Sequence, residues 1–422
     1  MNKKIGIIGL GTVGEAVLRS LRKYNSLINK RTSLDIKVKK VCDQRKEKKS
    51  IASKFSLPFT KDPYELIDDP EIDIIVELIG GINPARQYVF SALKKGKDVV
   101  TANKALLAEC GKDIFLLAKK LKRNIGFEAA VGGAIPLIRS ISEGLVGCEV
   151  SKLYGIVNGT TNYILSKMDE EKMGFYAALG EAQKRGFAER RPQLDIEGVD
   201  SLHKISILSY LCFGLWPAAG DVYVEGISKI SLQDILYAQE LSYKIKLLAI
   251  AKREGRSLDL RIHPTLIPQE HQLAQVNSVF NAVWLEGHPC GELLFYGEGA
   301  GGVATSSSII SDVVNMAFAK ARFIREKEVD RFKKIDSLRS RYYIRFLAQD
   351  RPGVLANISK VLGLFNISIA NVTQKGREKR KFVPIVMVTH EAKEKDVKRA
   401  LTKIDQLPII KGPSQVIRIE NL

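Results

Sequence analysis

Glu189, Asp195, Asp200 and Lys204 stand in one short stretch, GFAERRPQLDIEGVDSLHK, running from Gly186 to Lys204. Val199, Leu202, Ile205, Leu208 and Leu211 repeat at helical spacing, so Asp200 and Lys204, four residues apart, share one helix face. At about 100° per residue, Ile207 and Leu211 extend that stripe. Two charges opening an apolar stripe are expected to be partly buried, where charge is costly unless paired or used. A half-buried lysine beside carboxylates suits proton transfer, because burial and neighbouring charge move its pKa in opposite directions. The bland alternative is a surface ion pair worth under about 1 kcal/mol.

The elements that must hold these groups fall in three parts. The chain has 422 residues, 45% hydrophobic and 27% charged, ordinary for a soluble globular protein with two or three domains. No apolar run is long enough to span a bilayer, which argues against a membrane role. The lysines and apolar run of MNKKIGIIGLGTVGEAVL loosely mimic a secretory signal. Glu15 and the glycine spacing favour a strand and turn instead. Cysteines 42, 110, 148, 212 and 290 are scattered and form no C-x-x-C pair. They imply reduced thiols in a cytoplasmic setting, without a zinc site or disulfide framework, so the sequon at Asn158 carries no glycan. The net charge of +19 sits in mixed runs at 44–50, 325–334 and 375–381 with few aromatics. That pattern implies a solvated basic surface rather than a nucleic-acid site.

Runs Lys4–Ile8, Ile36–Cys42, Ile72–Leu78 and Asp98–Thr101 read as buried strands, with helices such as Thr12–Tyr24 and Pro84–Lys95 between them. This is the pattern of a doubly wound parallel α/β sheet over residues 1–130. An α+β region over 131–299 mixes strands such as Lys152–Val157 with longer helices, including one over Ser231–Arg253. The glycine-rich GEGAGGVATSSS (297–308) then leads into a helix reaching about Ile324, so 300–324 completes the first domain. A charged linker covers 325–340. Residues 341–422 read strand, helix, strand, strand, helix, strand, near 341–348, 367–374, 381–389 and 415–420 for the strands. That is a ferredoxin-like unit.

Gly9-Leu-Gly11-Thr12-Val13-Gly14 follows the first strand and opens a helix. In that context the first glycine permits a tight turn, the second lets backbone approach a pyrophosphate, and the third allows close helix–strand packing. Asp43, ending the second strand, suits the ribose hydroxyls of NAD, while Arg45, Lys46, Lys48 and Lys49 suit the extra phosphate of NADP; the cations favour NADP. A later strand exits into Thr101-Ala-Asn103-Lys104, where ligands of open α/β sheets collect. The same residues also read as a helix start capped by Thr101 or Asn103.

Together with TANKALL (101–107), FEAAVGGAIP (127–136), GIVNGTTNYIL (155–165), EAQKRGFAE with DIEGVDSLHK (181–204) and GEGAGGVAT (297–305), the chain resembles monofunctional homoserine dehydrogenases carrying a C-terminal ACT domain. The resemblance spans essentially the whole sequence. It implies reversible hydride transfer between a nicotinamide cofactor and aspartate 4-semialdehyde, giving homoserine. Lys204 would exchange the proton with the substrate oxygen, and Lys104 would assist there and contact the cofactor. Gly186, Glu189 and Asp200 would hold the substrate, with Asp195 in support. Gly9, Gly11, Thr12, Val13, Gly14 and Gly302 would contact the nucleotide. The resemblance also implies a monovalent cation, usually sodium, at Glu128 and the carbonyls of Val131, Gly133 and Ile135. A turn with a helix-start proline at Pro136 explains that bend equally well.

The segment Ala348-Gln-Asp350-Arg-Pro-Gly353 is similar to the ligand loop of ACT domains, with Asp350 a good helix N-cap. L-threonine is the implied effector, with Asn357 and Asn371 as further contacts, and removal of 341–422 is expected to spare catalysis while abolishing threonine inhibition. A homodimer or homotetramer is implied. Two positions depart from the family pattern: Arg191 stands where aspartate is usual, and Ala134 where glycine is usual. Arg191 alone supports a rival reading as a catalytically impaired amino-acid sensor. A second rival, an acylating semialdehyde dehydrogenase, needs an activated thiol, for which His288-Pro-Cys290 is the only close pair.

Overall fold

Apolar strand runs separated by amphipathic helices build one six-stranded parallel sheet, seen in a computed structural model describing residues 2–218, 220–318, 327–375 and 382–422. Its strands are β1 (Asn2–Ile8), β2 (Asp35–Cys42), β3 (Phe59–Thr60), β4 (Ile74–Glu77), β5 (Asp98–Thr101) and β6 (Ile125–Gly126). They lie in the order β3-β2-β1-β4-β5-β6, so the strand order reverses between β1 and β4. A crevice at the carboxyl ends of those two strands is where such sheets bind dinucleotides. Five helices carry the candidate groups: α1 (Thr12–Thr32), α2 (Lys104–Leu121), α3 (Gly159–Glu170), α4 (Val199–Phe213) and α5 (Gly302–Phe318).

The chain divides into two compact units. The first comprises Met1–Leu153, Leu202–Ala218 and Phe280–Asp330; the second comprises Tyr154–Ser201, Ala219–Val279 and Arg331–Leu422. In the first unit Ile5 and Ile7 of β1, Val76 of β4 and Val100 of β5 meet Val17 and Leu21 of α1 and Ile309 and Val313 of α5. Burial of each such side chain contributes about 1.5–3 kcal/mol. The hairpin Phe280–His288 and Gly291–Glu298 also belongs here.

In the second unit, strands Tyr243–Glu254 and Ser257–Pro268 form a long antiparallel pair. The C-terminal segment is a βαββαβ arrangement. Strand Arg339–Gln349 lies between Gln415–Ile419 and Phe382–Thr389, and Ile369–Gln374 lies outermost. Gln415–Ile419 also pairs in parallel with Ser257–Pro268, so the two sheets of this unit are continuous. Arg261, 0% exposed, forms ion pairs with Asp259 and Glu420, and Tyr154 donates to Glu420 at 3.2 Å. Removal of 341–422 would take Glu420 from the buried Arg261 guanidinium and leave it Asp259 as a carboxylate partner.

Three sequence expectations are corrected. The helix over Ser231–Arg253 is a short helix, Leu232–Glu240, followed by a turn at Ser242 (φ 63°) and strand Tyr243–Glu254. Seven consecutive buried residues mark that strand as sheet interior, and a continuous apolar run does not distinguish strand from helix by period. Asp350 does not cap the following helix, Val354–Leu364; Gly353, with φ 85°, takes the cap position. Cys148 and Cys290 are joined in a disulfide, contrary to the reading of reduced thiols. Their separation of 142 residues hides a pairing made by a hairpin turn. The helix expected to reach Ile324 is described to Phe318, and 319–326 and 376–381 lie outside the described residues, with parts of the basic runs and of the linker. Among the described residues no helix is long and apolar enough to cross a membrane.

Candidate active site

In the first unit, β1 ends and the chain turns through Gly9–Gly14 into α1. Gly9 has φ +107°, and a Cβ there would sit 2.7 Å from the Leu78 carbonyl carbon. A Cβ on Gly14 would sit 2.0 Å from the Gly9 oxygen, whereas one on Gly11 would meet nothing within 4 Å. No side chain caps α1 at Gly11, so the first-turn amides at Thr12, Val13 and Gly14 point to an anionic ligand. This geometry fits a dinucleotide pyrophosphate. Gly302 opens α5 against α1, where a Cβ would lie 3.1 Å from the Thr12 carbonyl oxygen.

Asp43 braces the turn by accepting from Leu10 N at 2.8 Å, and Arg45 Nε and Nη2 donate to its two oxygens at 2.9 and 2.8 Å. Burial alone would raise the Asp43 carboxyl, but Arg45 and the backbone donors outweigh it and hold it at about 2. The acid expected at the ribose is therefore paired with the first of the cations that follow it.

At the end of β5, Thr101 Oγ1 donates to Glu77 Oε2 at 2.6 Å, and the Thr101 oxygen accepts from Asn103 N at 3.0 Å. Asn103 caps α2 by accepting from Leu106 N at 3.1 Å, while its amide donates to Gly81 O at 2.6 Å. The helix-cap reading of this turn holds, with Asn103 as the cap, and it puts Lys104 at the first position of α2. Glu77 was missed by sequence reasoning: it is fully buried, and burial raises its carboxyl despite the donors around it. A lone acid ending an apolar strand was the available signal.

Lys204, on α4, is 7% exposed, and Ile207 and Leu211 are buried as the stripe predicts. Within the first unit α4 packs on α2 through Tyr210 and Phe115, whose rings lie 5.5 Å apart. Lys104 and Lys204 thus rise from two helices of one core.

In the second unit the carboxylates gather around α3. Asn158 Nδ2 donates to Asp195 Oδ1 at 2.7 Å and to Asp200 Oδ2 at 2.9 Å. Gly186 is exposed with φ +77°, and Glu189 is exposed beyond it. Thr160 Oγ1 donates to Phe187 O at 2.7 Å, tying this loop to the first turn of α3. Arg191 is exposed.

The bend after β6 is lined with oxygen. Glu128 accepts from Ile138 N and Arg139 N at 2.8 and 2.9 Å, and Ser308 Oγ donates to Gly133 O at 2.7 Å. Ile135 O accepts from Leu137 N, and Gly133 has φ +58°. Asp312 accepts from Glu128 N at 2.9 Å; burial and the neighbouring Glu128 push its carboxyl up to about 8. One carboxylate with carbonyls of Val131, Gly133 and Ile135 is an oxygen-only donor set suited to a hard cation. No group of three or more His, Cys, Asp or Glu that could hold a metal occurs among the described residues. In the C-terminal segment Gly353 and exposed Asn357 lie at the start of one helix, and exposed Asn371 lies on strand Ile369–Gln374. Gln374 Nε2 approaches Asp350 Oδ1 at 3.5 Å from that strand.

A homoserine dehydrogenase family profile matches residues 136–314, a homoserine dehydrogenase NAD-binding profile matches 9–128, and an ACT domain profile matches 342–409. A homoserine dehydrogenase of Neisseria gonorrhoeae is 41% identical over 99% of this chain and 98% of its own. The chain belongs to the homoserine dehydrogenase family. The Bacillus subtilis member is 36% identical over 99% of this chain and 98% of its own. The crystal structure of the Thiobacillus denitrificans member superposes with a TM-score of 0.93 at 39% identity, covering 100% of this chain and 99% of that one. A hyperthermophilic archaeal member in complex with NADPH reaches a TM-score of 0.65 at 25% identity, over 76% of this chain and 100% of that one. Family membership makes the protein an NAD(P)-dependent oxidoreductase. It also removes the support for an acylating thiol, as does the bonding of Cys290 to Cys148.

Proposed function

We propose that the protein interconverts L-homoserine and L-aspartate 4-semialdehyde, with Lys204 as the proton-transfer group. The observation that carries this is the helix α4, which opens with Asp200 and holds a buried Lys204 one turn later. A bound nicotinamide supplies or accepts the hydride. In the reducing direction the Lys204 ammonium gives its proton to the oxygen that gains charge at the aldehyde, and Lys104 stabilises the same oxygen. In the oxidising direction a neutral Lys204 takes the hydroxyl proton. Glu189 and Asp200 pair with the substrate ammonium, Gly186 offers close backbone approach, and Asp195 supports Asp200.

NADP is the favoured cofactor, because Arg45, Lys46, Lys48 and Lys49 follow β2. A sodium-like cation at Glu128, Val131, Gly133 and Ile135 would be structural. L-Threonine binding through Asp350, Gly353, Asn357 and Asn371 would regulate activity in a homodimer or homotetramer, provided the active and inhibited states bind it differently. A charged substrate and a phosphorylated cofactor, both retained by membranes, support a cytoplasmic setting. The test is absorbance at 340 nm with homoserine and NADP or NAD, with and without threonine. Cofactor reduction is expected; threonine binding without any turnover would replace the enzyme reading with the sensor.

A further inference from the structure

The side chain of Asn158 has every polar atom engaged. Its Oδ1 accepts from Thr161 N at 2.8 Å and caps α3, which fixes the amide the right way round. The two N–H bonds of Nδ2 then have one acceptor each, Asp195 Oδ1 and Asp200 Oδ2. Asp195 lies on the short helix Gln193–Ile196 and Asp200 in the first turn of α4, with a bend at Gly198 (φ +84°) between them. Asn158 is 4% exposed; its bond to Asp200 is buried and its bond to Asp195 partly so. Two carboxylates in one site repel, and each would otherwise favour protonation. A neutral double donor at the positive end of α3 lowers that cost and fixes the rotation of both groups.

The support beneath Asn158 is built in the same way. A Cβ at Gly159 would lie 2.6 Å from Val279 O, so backbone packs directly on the helix start. Asn162, one turn on, donates to Val276 O at 3.0 Å, and the buried Lys246 ammonium donates to Val276 O at 2.6 Å and Asn162 Oδ1 at 3.2 Å. The start of α3 is thereby fixed from below while its side chain fixes the acids above.

We propose that Asn158 is a positioning residue for substrate-ammonium recognition, acting through the paired carboxylates Asp195 and Asp200. The assignment rests on the homoserine reading above. Its test separates the cap from the positioning role. Asn158→Ser keeps a capping oxygen but loses the double donor; Asn158→Asp keeps the cap and adds a third carboxylate. For Asn158→Ser we expect KM for homoserine to rise about 10-fold or more, with KM for NADP(H) and Tm near those of the unsubstituted protein. For Asn158→Asp, the acid limb of kcat/KM for homoserine should move to higher pH, because added negative charge raises the carboxyl pKa values. An unchanged homoserine KM in the serine variant together with an unmoved acid limb in the aspartate variant would overturn the assignment and leave Asn158 a helix cap. Absence of homoserine turnover in the unsubstituted protein would instead overturn the functional reading, and this assignment with it.

Discussion

Two helix starts in this protein follow a strand directly and are finished in opposite ways. At α1 the cap position is Gly11, which offers no side chain, and Asp43 is held by Leu10 N and Arg45. The amides are left to a ligand, so the site takes an anion. At α3 the cap is Asn158, whose oxygen satisfies the helix and whose amide gathers two acids. In the function proposed above, that site receives the substrate ammonium. At both starts the positive helix end favours negative charge, a ligand phosphate at α1 and the protein's own carboxylates at α3.

The largest effect should come from the cationic side. Lys204→Ala should lower kcat by about 10³-fold, with NADP(H) binding unchanged by fluorescence titration. Retention of most turnover would remove Lys204 from proton transfer. On the anionic side, Gly11→Asp fits sterically, since a Cβ there meets nothing, yet it sets a carboxylate where the pyrophosphate belongs. It should weaken NADP(H) binding about 100-fold, near 2.7 kcal/mol, while Tm stays within a few degrees. Unaltered affinity would mean that the open turn is not the phosphate site.

Asp43→Asn probes the brace between them. The Asp43 carboxyl lies below its ordinary 3.8, at about 2, so its stabilisation is present above pH 4 and is lost as pH falls toward 2. Allowing for the half-exposed Arg45, the difference from wild type should be about 1 kcal/mol at pH 7 and should shrink on acidification, measured by denaturant unfolding. A difference that grows in acid would refute the sign. Smallest of all, Arg191→Asp should change kcat/KM for homoserine by no more than about 3-fold, because that exposed side chain is screened by salt. A large gain would revive the reading of an impaired site.

These two starts also differ in how much of them could be read from sequence. Gly9, Gly11 and Gly14 act on backbone within one turn, so type and spacing suffice. Asp200 and Lys204 were likewise legible, because helical phase is a local property. The bridge from Asn158 to Asp200 crosses 42 residues and needs a strand, α3 and a short helix to be placed first. Asp312 was silent because nothing beside it in sequence announces that it is buried, and Glu77 showed only as an acid ending an apolar strand. The strand Tyr243–Glu254 was mistaken for helix because sheet burial on both faces erases the alternation that identifies a strand.

Strand Gln415–Ile419 shares its ladder with Ser257–Pro268, and this has a bearing on damaged chains. A polypeptide ending before Gln415 would present backbone of the Thr265–Leu266 segment as an unblocked template for foreign strands. It would also take Glu420 from the Arg261 guanidinium, leaving Asp259 as its carboxylate partner. Such a truncated product should be recovered as insoluble aggregate rather than as an unregulated enzyme, which sedimentation of the expressed fragment would reveal.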